Sequence, residues 1–204
     1  ADLWLQNLDR LPSGWEITLT DFSPGMIDAA QHKLAEAGRP FAFKVVNAES
    51  LPFNTADFDT VIANHMLYHV PDRAAALAEI RRVLKPGGHA YISEPVFSGE
   101  FNEILRLFND EQKVREAAFK AVEQAVDDGR FSLLEETFFI TPGDFRDFAE
   151  FEDRIINASH GNYALDAETY GKVRRLFERH MQPGGAHFEN PQRVDLLLKP
   201  AYSG

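Results

Sequence analysis

The sequence predicts an α/β fold, a parallel sheet covered by helices on both faces. Three observations predict it. Short apolar runs alternate with single amphipathic segments through the first ninety-odd residues. Each run is continuously apolar rather than alternating, as strands buried on both faces require. Capping and turn residues also punctuate the joins, with Ser23-Pro24, Gly38, Asp72 and Pro86-Gly87-Gly88 at the expected boundaries.

In chain order, Leu3, Trp4, Leu5, Leu8 and Leu11 predict the end of a helix closed by Pro12-Ser13-Gly14. Trp15 to Thr20 is rich in Ile, Thr and Leu and predicts a strand ending at Asp21. Ser23 caps the next helix with Pro24 at its first position, where the missing N–H costs nothing, and Ile27, Ala30 and Leu34 form its inner face. Ala42 to Val46 and Phe58 to Ala63 are further strands. Asp72 caps a helix whose core face is Leu77, Ile80 and Leu84, and Ala90 to Ser93 is the next strand. After Glu94 the rhythm changes. Phe101 to Phe108 and Val114 to Ala125 predict a long helical region ending near Gly129. A phenylalanine-rich stretch from Phe131 to Phe151 follows, with Thr141-Pro142 as a helix start. Asp153 to Ala158 is read as a strand, Asp166 as the cap of a helix reaching Met181, and Arg193 to Leu198 as a closing strand. The whole chain is expected to form one domain, with a helical insertion at about 98–150 that fills a core and, compatibly with that, could close over a site as a lid.

Composition bounds the partners. Lys plus Arg number 21 against 32 Asp plus Glu, a net charge of −11, which repels nucleic acid and anionic lipid. The basic clusters Arg81-Arg82-Lys85 and Lys172-Arg174-Arg175 have acidic neighbours and read as solvated helix faces. There is no cysteine, which excludes disulfides, thiolate metal sites and a cysteine nucleophile. No apolar run reaches membrane-spanning length, no basic leader opens the chain, and a cytoplasmic location is expected.

The residues with chemical potential gather at predicted strand ends. In open α/β sheets, ligands bind outside the carboxyl ends of the strands. Asp21 stands at such an end, where a carboxylate can accept from both hydroxyls of a ribose. Asn47-Ala48-Glu49 follows the next strand, where the Asn47 side-chain oxygen and the Ala48 N–H could meet a base edge. Asn64 and His65 end the strand after that. His65, Tyr68 and His69 form the cluster of proton-transfer side chains nearest this edge and, on a helical turn, would share one face. His32, His89, His160, His180 and His187 have weaker claims, and no histidine spacing fits a metal site.

Five ordered segments carry a resemblance: Asp21-Phe22-Ser23-Pro24-Gly25-Met26, Asn47 to Phe53, Asp57-Phe58-Asp59, Leu67-Tyr68-His69-Val70 and Leu84-Lys85-Pro86-Gly87-Gly88. Together they resemble the small-molecule class I S-adenosylmethionine (SAM)-dependent methyltransferases, most closely the ubiquinone/menaquinone-biosynthesis branch, over residues 1 to about 96. The resemblance implies a Rossmann-like, seven-stranded and mostly parallel sheet with one antiparallel edge strand, and a helical insertion after the fifth strand. It also implies SAM as cofactor and a small-molecule methyl acceptor. Asp21 would match the ribose-binding acid, with Phe22 and Met26 near the adenine. Asn47, Ala48 and Glu49 would match the adenine loop, where the family more often has aspartate at the first position. Asn64 and His65 would lie beside the methionine part. His69 matches the second histidine of a frequent His-His pair, and Tyr68 replaces the first. Methyl transfer in this family is an in-line displacement that depends mainly on positioning and desolvation, so the resemblance names no obligatory catalytic residue.

The glycine-rich turn that holds the methionine end of SAM should lie at or before Ala1, so the natural protein is expected to extend upstream by a strand and a leading segment. Two other functions remain open: a non-catalytic protein that keeps the fold for binding or assembly, and an NAD-dependent dehydrogenase, whose cofactor also presents a ribose to an acid after the second strand.

Overall fold

A computed structural model describes residues 1–158 and 163–201; the histidine at position 160 lies outside them. The expected alternation appears from β1 (Thr18–Asp21) through α2 (Pro24–Leu34), β2 (Ala42–Val45), β3 (Phe58–Asn64), α3 (Arg73–Val83) and β4 (Leu84–Pro95). Before it, the leucine-rich start forms a single turn, α1 (Asp2–Leu5), and a 3-10 turn at Leu8–Arg10. The caps fall where the side chains demand. Ser23 Oγ accepts from the Met26 N–H at 3.4 Å, and Asp72 Oδ1 from the Ala75 N–H at 2.9 Å. Replacing the exposed Asp72 with Ala should cost about 1 kcal/mol, the usual worth of an N-cap, and lower the melting temperature by ~2–4 °C. Thermal unfolding followed by circular dichroism measures this, and an unchanged midpoint would contradict the cap's role.

Among the described residues, seven strands fall into two sheets rather than the single sheet implied by the resemblance. β1 and β2 pair in parallel, with Asp21 opposite Val45. The larger sheet runs β3-β4-β7-β5, where β5 is Ser132–Phe145 and β7 is Gly185–Leu198, and the short β6 (Met181–Gln182) also pairs with β7. β3 and β4 are parallel, with Asn64 opposite Ser93. The reversed strand is β7. It lies one place in from the edge, antiparallel to both β4 and β5, so the antiparallel strand is interior and not, as expected, at the edge. The Asn47–Phe53 loop ties the two sheets together through α3. Arg82 of that helix donates to the Phe53 and Leu51 carbonyls at 2.8 and 2.9 Å, and Glu79 accepts from the Leu51 N–H at 2.7 Å.

The Lys85-Pro86-Gly87-Gly88 turn is a tight structural joint. Gly87 has φ 78°, a left-handed conformation that glycine adopts freely. A Cβ on Gly88 would come within 2.9 Å of the Asp59 carbonyl oxygen, so β3 and β4 can approach only over a glycine.

Beyond Glu94, two expectations are corrected. α4 (Glu100–Leu105) and α5 (Gln112–Asp127) supply the expected helices, but the helical part stops there. The Thr141-Pro142 pair does not start a helix; it lies within β5, at the sheet edge, where a missing proline N–H breaks no ladder. Asp153 to Ala158 is not a strand either. Residues Glu152–Ile156 form a wide helical turn that continues α6 (Phe148–Phe151). Asp166 caps α7 (Ala167–Glu178), its Oδ1 accepting from the Thr169 N–H at 2.7 Å.

The core has two parts. Leu77 and Ile80 of α3 and Ala118, Val122 and Ala125 of α5 pack on Ala63, Ala90, Ile92 and Leu197 of the sheet. The phenylalanine-rich stretch divides. Phe145, Phe148 and Phe151 join Phe177 and Phe188 in a second, aromatic core under α7, whereas Phe138 and Phe139 on β5 are exposed. The basic clusters are engaged within the chain: Lys85 with Asp59 at 2.8 Å, Lys172 with Glu168 at 2.7 Å, Arg174 with Glu178 at 2.7 Å, and Arg81 with the Arg130 carbonyl at 2.9 Å.

Candidate active site

Parallel pairing sends the carboxyl ends of β1 and β2 the same way, and likewise those of β3 and β4, so residues just past each strand share an edge. At the first pair, the Val46 N–H donates to the Asp21 carbonyl at 2.9 Å, which sets the Asn47 loop next to Asp21. One Asp21 carboxylate oxygen accepts from the Ser23 N–H at 2.8 Å, and this fixes the side chain at the mouth of α2. Phe22 and Met26 beside it are 76% and 60% exposed, an apolar ledge that the chain itself does not cover. Asn47 Oδ1, read from sequence as free for a base edge, closes a turn by accepting from the Glu49 N–H at 3.0 Å. Glu49 reaches the other way, its Oε1 accepting from the Asp72 N–H at 2.8 Å. Glu49 therefore holds the loop against α3, and of this loop the exposed Asn47 and the half-buried Ala48 are left to face a ligand.

At the second pair, Asn64 is exposed and the chain turns sharply. His65 has φ 51°, the left-handed region that L side chains seldom adopt, and its N–H donates to the Ser93 carbonyl at 2.8 Å. A 3-10 turn at Leu67–His69 follows. Glu94 at the end of β4 holds this turn: it is 1% exposed, and its Oε1 accepts from the Met66 and Leu67 N–H groups at 3.1 and 2.7 Å. Its other oxygen, Oε2, has no hydrogen-bond partner. Burial dominates over these two bonds and pushes the Glu94 carboxyl up to about 7.

The turn brings His65 and Tyr68 to one cavity of about 240 Å³, lined also by Phe101 and Asn102 of α4, Arg115 of α5, Thr141 of β5 and Gln192 of β7. His69 is not among its lining residues; its ring stacks on Tyr68 with centroids 3.8 Å apart. Desolvation lowers the His65 pKa below its ordinary value, the charge of Arg115 adds to this, and the Gln192 carboxamide opposes it, so the imidazole is neutral at pH 7. Burial, reinforced by the charge of Glu111, raises the Tyr68 phenol to about 12. Tyr68 can orient a ligand but cannot serve as a base near neutral pH. Tyr68→Phe should accordingly slow turnover by less than about tenfold, the worth of one hydrogen bond. A loss of roughly a thousandfold in kcat would instead make the phenol a proton-transfer group.

Arg115, Asn102, Thr141, Gln192 and Glu94 were not singled out from sequence. Arg115 had a signal: it begins the stripe continued by Ala118, Val122 and Ala125, a cation on the core face of an amphipathic helix. Val114, the expected first member of that stripe, is 39% exposed. Gln192 lies in a strand segment with no pattern that marks it.

Asp21 with the exposed Phe22 and Met26 past β1, and a polar cavity beside His65 past β3, stand at the strand ends where ligands of open α/β sheets bind. Residues 3–92 match the family described as "Methyltransferase domain". The ubiquinone/menaquinone biosynthesis C-methyltransferase of Marinomonas sp. is 34% identical over 117 residues, 56% of this chain and 46% of the relative. The demethylmenaquinone methyltransferase of Lactococcus lactis is 44% identical over 84 residues, 41% of this chain and 33% of the relative. The chain thus spans less than half the length of the curated relatives it matches. Among solved structures, the YcgJ protein of Bacillus subtilis superimposes with a TM-score of 0.66 at 18% identity, covering 93% of this chain and 83% of that one. A SAM-dependent methyltransferase from Methanosarcina mazei gives 0.57 at 18% identity, covering 97% and 87%. The [4+2]-cyclase SpnF gives 0.56 at 20% identity, covering 92% and 67%. Over residues 3–92 the chain is similar to SAM-dependent methyltransferases of the small-molecule type, and its fold is the Rossmann-like fold of such enzymes. No helix among the described residues is long and apolar enough to cross a membrane.

Proposed function

We propose that the protein transfers a methyl group from SAM to a small-molecule acceptor. The observations that carry this reading are a ribose-suited carboxylate and an uncovered apolar ledge at the carboxyl end of β1, and a polar cavity beside His65 at the carboxyl end of β3. The residues present fit the nucleoside half of SAM. Asp21 would accept from the ribose hydroxyls, and Phe22 and Met26 would cover an adenine face. Asn47 and the Ala48 N–H would meet the adenine edge, with Glu49 keeping that loop in place. Asn64 and His65 would stand beside the methionine part.

When bound, SAM supplies an electrophilic methyl on a cationic sulfur, so the chain's task is to align the acceptor and exclude water. Phe101 and Tyr68 wall the cavity, and α4 and α5 act as its cover. His65, neutral at pH 7, is the group suited to take a proton from an acidic acceptor, with Tyr68 orienting the acceptor and His69 supporting Tyr68 from behind.

Isothermal titration with SAM, followed by a methyl-transfer assay against a panel of phenols, amines and thiols, tests this. Heat on SAM addition and label in a product support it. Binding without transfer to any acceptor favours a non-methylating role, as the cyclase with this fold illustrates. No SAM binding together with enhanced nicotinamide fluorescence would replace it with the dehydrogenase reading.

A further inference from the structure

β5 is the outermost strand of the larger sheet, and among the described residues no strand pairs with its outer side. The direction of its polar groups follows from its neighbour. The Val96 N–H donates to the Pro191 carbonyl and the Lys199 N–H to the Gly88 carbonyl, both at 2.9 Å, so odd-numbered residues of β7 turn their backbone polar groups toward β4. Glu136, Phe138 and Ile140 stand opposite Asp195, Arg193 and Pro191 of that set. They therefore turn their own N–H and C=O groups away from β7, to the open edge. The side chains there are apolar and uncovered, Phe138 at 60% and Ile140 at 51% exposure.

Sheet edges are ordinarily guarded against pairing by charges, bulges or proline. Here the charges are engaged within the chain. Glu136 meets Arg193 at 2.9 Å, Asp144 meets His187 at 2.6 Å, and Glu135 accepts from the Thr137 hydroxyl at 2.9 Å. A basic partner would find those acids already taken, and β5 holds no lysine or arginine to repel another strand. The guards that remain are a bulge at Leu134 and Pro142, which has no N–H. They stand equally far from Phe138, one on each side, and leave a regular segment with an apolar centre between them.

This segment complements itself. When two copies pair antiparallel about a two-fold axis at Phe138, Phe138 faces its own copy and Glu136 faces Ile140, each pair exchanging two backbone bonds. Leu134 of one copy then falls opposite Pro142 of the other, so the two irregularities coincide and end the ladder together. No acid faces an acid, because Glu135 and Glu136 stand opposite Thr141 and Ile140. We propose that β5 is a dimerisation edge, joining a second copy of this chain through residues 135–141 into one continuous sheet with the Phe138 rings packed at the axis. Thr141, at the end of the segment, also lines the cavity beside His65, so the pairing would brace one wall of that cavity.

The mass of the full chain in solution, from sedimentation across a dilution series, tests this without cofactor. The expected species has twice the chain's 23.0 kDa and dissociates on dilution. Ile140→Pro removes an outward N–H that no other strand of the chain uses, and Phe138→Lys sets two cations at the axis. Each should weaken association by at least about tenfold, with an unchanged circular dichroism spectrum. The chain has no cysteine, so single cysteines report the register. Phe138→Cys should crosslink with a short bis-maleimide, whereas Leu133→Cys, about 30 Å from its copy, should not. An unaltered chain that is monomeric at every concentration would overturn the proposal. So would a dimer that persists in both folded variants, or crosslinking of Leu133→Cys as fast as of Phe138→Cys.

Discussion

Replacing Glu94 with Ala should destabilise the protein by about 3 kcal/mol at neutral pH, because two N–H groups of the Met66–Leu67 turn lose their acceptor inside the core. That corresponds to a fall of roughly 6–12 °C in melting temperature for a chain of this size. Glu94→Gln keeps an acceptor for the turn and places an uncharged group where Oε2 has no partner, so it should cost much less. The two variants also separate in their pH dependence. The Glu94 carboxyl titrates near 4.5 when solvated and about 7 in the fold, so between those values the folded state holds a proton that the unfolded state has lost. Stability from this group is therefore greatest below the lower value, declines through the window, and levels off above it. The total decline is about 3 kcal/mol. His65, with its depressed pKa, contributes the opposite slope, losing stability as the pH falls, but does so equally in the Gln variant. Urea unfolding of the wild type minus that of Glu94→Gln, between pH 5 and 7.5, isolates the carboxyl. Parallel curves would show that Glu94 is not buried as a titrating acid.

The second large effect lies at the carboxyl end of β1. Asp21→Ala should weaken SAM binding by about thirty- to a hundredfold, since a carboxylate accepting from two hydroxyls contributes charge-assisted bonds of roughly 2–3 kcal/mol. The fold should persist, because the one internal bond of that side chain, to the Ser23 N–H, sits on the half-exposed first turn of α2. Calorimetric titration of SAM against wild type and variant measures the effect. An affinity within threefold of wild type would remove Asp21 from the ribose site, and a lowered melting temperature of several degrees would recast it as a structural cap.

The strand-end positions of Asp21 and Asn64 were legible in the sequence and the cavity beside His65 was not, and the difference is one of range. Ser23, Asp72 and Asp166 cap helices through bonds to the third residue on, so type and spacing suffice to place them. Asp21 and Asn64 end short apolar runs whose parallel pairing follows from their alternation with helices. Even there, contacts between separate segments escaped the sequence. Glu49 reads as part of a ligand loop, but its oxygen is taken by the Asp72 N–H on the next helix. Beyond Glu94 the local signals misled. Thr141-Pro142 has the form of a helix start, yet thirteen residues of β7 lie alongside and pull the segment into a strand. Phe138 and Phe139 are as apolar as Phe148 and Phe151, but only the latter meet α7.

The sequence by itself determined the α/β alternation, the capped helices, the glycine joint between β3 and β4, and the place of Asp21 at the end of β1. All of these are written in neighbouring residues. The tertiary structure alone decided that the reversed strand lies inside the sheet, that Glu94 carries the His65–Tyr68 turn, and that Arg115 and Gln192 face one cavity. Those depend on pairing and burial between segments far apart in the chain. Whether a polar group is satisfied, titrates normally or waits for a ligand is a property of its surroundings, which residue type does not encode.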